Sequence, residues 1–89
     1  MRFLTEEYRE ISKVMDELGL TYSLVKRKGW VYVETDEKTF SFHRKVLSRI
    51  TNGKIEEKFQ YLICTDRITQ QSVDDFQEVV HKIHEYFRS

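Results

Sequence analysis

Two stretches of the chain carry apolar residues at the spacing of an amphipathic helix. Between Leu4 and Leu18 the apolar positions recur every three or four residues, which predicts one buried helical face. Thr5 can cap the start of such a helix, and Gly19 can adopt the left-handed conformation that ends one. The pattern therefore predicts a first helix from Thr5 to Leu18.

A second stripe of this kind begins at Val73, near the end of the chain. Ser72 is followed three residues later by Asp75, which resembles a capping box. We therefore predict a second helix from Val73 to Phe87. The residues expected in the core from these two helices are Leu4, Ile11, Met15, Leu18, Phe76, Val80, Ile83 and Phe87.

Between the helices the apolar pattern changes to the period of two that is typical of strands. The segments TYSLVK and WVYVET are rich in aromatic and β-branched residues, and the three residues between them end in Gly29. Glycine readily adopts the positive φ that a tight hairpin turn requires. These segments predict a first β-hairpin.

Residues 43–51 have two interpretations, a short helix or a strand. Asn52 and Gly53 favour a strand, because Asn-Gly is a strong signal for a two-residue hairpin turn. Such a turn fixes which residues face each other, and the resulting pairs separate into a mostly apolar face and a mostly polar one. The apolar face contains Ile50/Ile55, Val46/Phe59 and Phe42/Ile63, and the polar face contains Arg49/Glu56, Leu47/Lys58, Lys45/Gln60 and Ser41/Cys64.

The predicted order is helix, four strands, helix. Strands joined by short turns are antiparallel, and two amphipathic helices need a sheet face to cover. The sequence therefore predicts a single α+β domain spanning residues 1–89. We expect a two-layer sandwich with both helices on one face of the sheet, and the strand order stays open.

The second hairpin is long for a domain of this size. Each strand has about 12 residues and so a length of roughly 40 Å, whereas the expected domain diameter is roughly 30 Å. Either the hairpin coils strongly across the sheet, or its tip around Ile50–Ile55 projects and leaves Ile50, Ile55, Val46 and Phe59 uncovered by the helices. Exposed apolar residues of this kind normally meet a partner, so the pattern predicts a dimer or a bound protein there.

Composition and charge narrow the class of protein. The chain has 89 residues, of which 39% are hydrophobic and 34% charged, with no net charge, and this favours a folded domain. The first residues do not resemble a signal peptide, and no stretch approaches the roughly 18 apolar residues of a membrane span. Cys64 is the only cysteine, so the fold needs no oxidising compartment. We expect a cytoplasmic protein.

Candidate chemistry is sparse. His81 and His84 lie three residues apart on the second predicted helix, but the local sequence offers them no clear third metal ligand. Cys64 and His43 share the polar face of the second hairpin, where an inert, partly buried thiol is the simpler interpretation. No phosphate loop or hydrolase motif is present. We therefore expect no enzymatic activity, metal or cofactor.

Basic and aromatic residues are interleaved in the central strands. Residues 20–60 contain nine basic and five acidic side chains, whereas both ends of the chain are acidic. The candidate binding surface comprises Lys26, Arg27, Lys28, Trp30, Tyr32, Arg44, Lys45, Arg49, Lys54 and Lys58. If Val31 and Val33 pack on the helices, Trp30 and Tyr32 lie on the open face of the sheet.

Two functions fit this pattern. The favoured one is a non-enzymatic module that binds a protein partner, or a second copy of itself, through the sheet face and the second hairpin. Such a module acts as a regulator, an inhibitor or a self-associating subunit. The alternative is a module for RNA or single-stranded nucleic acid, in which bases stack on the aromatic side chains and the cations contact phosphates. If the chain binds nucleic acid, neutralising Lys26, Arg27 and Lys28 should weaken that binding. The simpler interpretation is that these three residues form the solvated turn of the first hairpin.

Overall fold

The computed structural model of the chain describes residues 5–66 and 68–88. The protein belongs to the α+β class, and its strands form one antiparallel sheet in the order β1-β2-β3-β4-β5. The elements are α1 (Thr5–Glu17), β1 (Ser23–Arg27), β2 (Trp30–Glu34), β3 (Thr39–Thr51), β4 (Lys54–Cys64), β5 (Gln71–Val73) and α2 (Phe76–Arg88).

Helix α1 ends at a glycine, as the sequence predicts. Gly19 has a φ of 70°, and its N–H donates to the carbonyl of Asp16. The next residue, Leu20, donates its N–H to the carbonyl of Met15, which completes a Schellman motif. The helix ends one residue before the predicted boundary, and the predicted core residue Leu4 lies outside the described residues.

Both hairpins turn through two residues with positive φ. Lys28 and Gly29 have φ values of 52° and 84°, and Asn52 and Gly53 have values of 52° and 76°. This backbone matches the right-handed twist of the paired strands. The predicted register of the second hairpin is confirmed along its whole length, so the short-helix interpretation of residues 43–51 is wrong.

The prediction of four strands is wrong, because the segment before α2 forms a fifth. Val73 was expected in the helix, but it lies in β5 opposite Tyr61 and is almost completely buried. Its β-branched side chain suits a strand, and pairing with β4 hydrogen-bonds its backbone. The helix begins three residues later than predicted. Its cap is Asp75 rather than Ser72, because Asp75 Oδ1 accepts the N–H of Gln77 at 3.0 Å.

The core is a single cluster to which the sheet and both helices contribute. Of the predicted helical core residues, Ile11, Met15, Ile83 and Phe87 are buried. Leu18, Phe76 and Val80 are partly buried and pack against the cluster. The helical pattern missed Val14, Val79 and Tyr86. The sheet contributes Val31, Val33, Phe40, Phe42, Tyr61, Ile63 and Val73.

The second hairpin projects from this core. The molecule measures 48 × 26 × 22 Å, and the long dimension fits strands of 13 and 11 residues in β3 and β4. Apart from Thr51 and Gln60, which are half-buried, every residue from 45 to 60 is exposed. We call residues 45–60 the arm. Of the two alternatives that the sequence leaves open, coiling across the sheet and projection of the tip, the structure shows projection.

The contrast between core and arm leads to a stability prediction. Ile83 is fully buried, and Ile83→Ala should lower the free energy of unfolding by about 2–5 kcal/mol because it leaves a cavity. Ile55 is 72% exposed, so Ile55→Ala serves as the control and should have little effect. Urea denaturation of the two variants measures both changes, and equal losses would contradict this assignment of the core.

Candidate functional site

One side of the arm carries large apolar residues that the described chain leaves exposed, most of all at the tip. Its large apolar residues are Val46, Ile50, Ile55 and Phe59, which are 43%, 76%, 72% and 39% exposed. The register places them on the same side of the sheet as Phe42 and Tyr61, which are buried in the core. The apolar side of the arm therefore continues the core-facing side of the sheet beyond the core itself.

Both backbone edges of the arm lack a neighbouring strand in the described part of the chain. Strand β2 pairs with β3 only as far as His43, and β5 pairs with β4 only between Tyr61 and Ile63. In an antiparallel hairpin, alternate residues direct their N–H and C=O groups away from the partner strand. Edges of this kind can pair with a strand from another chain.

A buried polar cluster holds the root of the arm. The Tyr61 hydroxyl donates to Glu7 Oε2 at 2.8 Å, and Arg44 Nη1 lies 3.5 Å from Glu7 Oε1. The Glu7 and Arg44 side chains are each only 5% exposed. The Arg44 guanidinium also lies over the Phe59 ring, 4.9 Å from its centroid. Helix α1 is therefore tied to both long strands at the point where the arm leaves the core.

The polar cluster also changes the acidity of two tyrosines. Burial raises the pKa of Tyr61 well above its usual range, and the hydrogen bond to Glu7 raises it further. Burial and the nearby Glu7 carboxylate also raise the pKa of Tyr8. In both cases the neutral phenol is favoured, because its ionised form would lie in a poorly solvated place beside a negative charge.

The opposite side of the sheet carries an aromatic and basic surface. Trp30 lies opposite His43, and their rings stack at a centroid distance of 5.4 Å and an angle of 29°. His43 Nδ1 donates to the Gly29 carbonyl at 2.9 Å, which fixes the orientation of the imidazole. Arg27 lies over the Tyr32 ring, 5.7 Å from its centroid. We call this side the open face; the Trp30, Tyr32 and His43 side chains are partly exposed there.

The structure divides the candidate binding residues among different surfaces. Strand alternation and the register place Arg27, Trp30, Tyr32, Lys45, Arg49, Lys54 and Lys58 on the open face. Lys28 lies in the first hairpin turn, and Lys26 points to the other side of the sheet. Arg44 is separate from all of these, because it is buried against Glu7.

Sequence reasoning missed three contributors to these surfaces. Glu7 belongs to the buried cluster. The sequence gives no sign of this, because an acidic residue near the start of a helix is favoured by the helix dipole alone. No sequence pattern singles out Tyr61, and the predicted register places His43 only near Cys64. The register of β2 against β3, which places His43 opposite Trp30, was the missing information.

The contacts of His81 and Cys64 give no sign of a metal site or a reactive thiol. His81 pairs with Glu85 on the exposed side of α2, with 2.7 Å between Nε2 and Oε1. Cys64 is half-buried, and its carbonyl accepts the Ser41 hydroxyl at 2.9 Å. Among the described residues, no group of three or more His, Cys, Asp or Glu side chains is placed to hold a metal ion.

No family model, curated protein or solved structure matches this chain. Within residues 5–66 and 68–88, no helix is long and apolar enough to cross a membrane.

The raised pKa of Tyr61 leads to a prediction about alkaline stability. An unfolded tyrosine ionises near pH 10, whereas folded Tyr61 keeps its proton to higher pH. Its contribution to stability is therefore fully present below about pH 10 and is lost as the pH rises through the folded-state pKa. Tyr61→Phe should make the free energy of unfolding fall less steeply above pH 10. Denaturation at pH 8 to 11 measures this, and an unchanged slope would contradict the assignment.

Proposed function

We propose that this protein is a small non-enzymatic interaction module and that the arm is its binding element. The observation that carries the proposal is the exposure of Ile50 and Ile55, at 76% and 72%, on the side of the sheet that elsewhere forms the core. Clustered apolar residues left uncovered in this way mark binding surfaces in many soluble proteins. A protein partner or a second copy of the chain would supply the missing cover.

The energetics of the arm favour binding. Complete burial of one isoleucine side chain contributes roughly 1.5–3 kcal/mol, and the arm offers two that are mostly exposed. The unpaired backbone edges would add hydrogen bonds to an incoming strand. The tight turn and the buried cluster constrain the arm at its two ends, and such constraints reduce the entropy lost on binding.

The proposal includes a layered arrangement of the domain. Both helices are taken to cover the face that carries Val31 and Phe42, since residues from α1, α2 and this face belong to one core cluster. The open face and the arm then remain accessible to partners. We place this function in the cytoplasm, because a chain with Cys64 as its sole cysteine has no internal disulfide to maintain.

A paired substitution in the arm tests the proposal. The variant I50S/I55S should keep the stability of the wild type, because both side chains are mostly exposed, but it should lose its partner. The immobilised wild-type and variant proteins are incubated with extract from the source cells, and bound proteins, including the chain itself, are quantified by mass spectrometry.

The control replaces two exposed helical residues, Glu10 and Glu85, with serine and should keep the partner. Identical sets of bound proteins for wild type and I50S/I55S would overturn the proposal.

The open face supports nucleic-acid binding as a second candidate function. The Trp30–His43 stack and the Arg27–Tyr32 pair place flat rings beside a cation, the combination with which single-stranded nucleic acids are bound. Strand alternation adds Lys45 to this side of the sheet. Bases would stack on the rings, and the cations would lie near phosphates.

Salt dependence tests the second candidate. The triple variant R27A/K45A/R49A, whose three residues lie on the open face, should weaken binding to a single-stranded oligonucleotide and flatten the decline of affinity with salt. The matched control R9A/K13A/K82A removes the same charge from the helices and should leave binding unchanged. Fluorescence anisotropy at several salt concentrations measures both. Absence of binding by the wild-type protein at low salt would remove this candidate.

A further inference from the structure

We infer that the occupant of the arm is a second copy of this chain, joined along the outer edge of β4. The two copies would pair antiparallel about a two-fold axis at Glu57 and merge their sheets into one. This inference rests on the proposed function, because it names the partner of the same arm. Four features of the edge support it: its length, its hydrogen-bonding pattern, its side chains and the position of its tip.

The unpaired part of the β4 edge can pair over its full length with the same segment of a second copy. It runs from Lys54, directly after the turn, to Gln60, directly before the residue at which β5 begins to pair. Glu57 is the midpoint of this segment. An antiparallel pair centred on Glu57 therefore matches the whole free edge of one copy with the whole free edge of the other.

The hydrogen-bonding groups match in the same register. The residues that flank a two-residue hairpin turn form a hydrogen-bonded pair, and such pairs recur at every second position. Counting from Thr51 and Lys54, the residues of β4 that direct their N–H and C=O groups outward are Ile55, Glu57 and Phe59. In the proposed pair they lie opposite Phe59, Glu57 and Ile55 of the second copy. Outward groups meet outward groups, which allows about six intermolecular hydrogen bonds.

The side chains in this register are largely complementary. On the apolar side, Ile55 lies opposite Phe59 of the second copy, and two-fold symmetry repeats the pair. On the open face, Glu56 lies opposite Lys58 of the second copy, again twice. Cross-strand pairs of apolar side chains and of opposite charges both stabilise sheets.

The outer edge of β3 is less suited to self-pairing. Strand β3 carries Arg44, Lys45 and Arg49 and no acidic residue, so two β3 edges would bring only like charges together. The β4 edge from Lys54 to Gln60 carries two basic and two acidic residues. Charge therefore selects the β4 edge.

Antiparallel pairing also places the exposed residues at the tip of one arm beside apolar side chains of the second copy. The tip of one arm would lie beside the root of the other, where the second copy's core begins. Phe76 is at this root, with its ring centroid 5.6 Å from that of Tyr61, and it is only partly buried. Ile55 is mostly uncovered in a single copy and would lie next to this apolar surface of the second copy.

The centre of the pair contains one unfavourable contact, which provides a sharp test. Glu57 lies opposite Glu57 of the second copy, and directly opposed like charges destabilise a sheet. Glu57→Gln removes both charges from the centre and should tighten the dimer about threefold or more.

Charge reversal tests the register. Purified full-length protein should show a monomer–dimer equilibrium in sedimentation velocity runs over a range of concentrations. Glu56→Lys and Lys58→Glu, made singly, each turn both attractive pairs into repulsive ones and should raise the dimer Kd about tenfold or more. The double variant E56K/K58E restores opposite charges and should return the Kd to near the wild-type value.

The double variant also controls for a contact within the hairpin. Glu56 lies opposite Arg49 of its own chain, and Glu56→Lys places two cations there. The double variant keeps that direct repulsion, so recovery of the dimer would show that loss of the Arg49–Glu56 pair is not what weakens it in the single variant. Dimerisation should also slow amide exchange at Ile55, Glu57 and Phe59, which direct their N–H groups outward, and leave that of Ser48 and Ile50 unchanged.

The possible results distinguish this inference from the proposed function. A wild-type protein that stays monomeric at high concentration would overturn the inference. Loss of another bound protein in I50S/I55S would at the same time support the proposed function. A dimer whose Kd is unchanged by Glu56→Lys and by Lys58→Glu would overturn the proposed β4 register. Assemblies that grow beyond a dimer would indicate head-to-tail pairing of β3 with β4, which would also overturn it.

Discussion

The register of the β3–β4 hairpin is the constraint on which the rest of the structure depends. The Asn52–Gly53 turn sets it, and a slip of one residue would exchange the two faces of a strand. The same register places Phe42 in the core and Ile50 on the same side of the sheet, where the arm leaves it exposed. It also determines which side chains lie on the open face. Because the hairpin is longer than the core beside it, the apolar side chains near its tip are left exposed.

The buried cluster of Glu7, Arg44 and Tyr61 marks the boundary between core and arm. On the core-facing side of β3, Arg44 follows Phe42 and precedes Val46, and α1 supplies the carboxylate that pairs with it. Removing one partner would leave an uncompensated buried charge, which costs several kcal/mol. The cluster therefore ties α1 to both long strands at the point where the arm begins.

The two sides of the sheet offer different chemistry to partners. Alternation along each strand gives the arm an apolar side and gives the open face its cations and stacked rings. The proposed strand pairing uses the β4 edge, with Ile55 and Phe59 on the apolar side and Glu56 and Lys58 on the open face. The candidate nucleic-acid surface lies at the other end of the sheet and uses Trp30, His43 and Arg27. These surfaces lie at different places on the sheet, so the two functions can be tested separately.

The sequence by itself determined both helices, both hairpins and the register of β3 against β4. Each follows from periodicity or turn chemistry within a contiguous segment, as with Asn52 and Gly53. Only the tertiary structure decided that Val73 completes a fifth strand, that Glu7 pairs with Arg44, and that His43 stacks on Trp30. These contacts join residues of separate elements, and a local pattern contains no information about which distant segment will lie beside it.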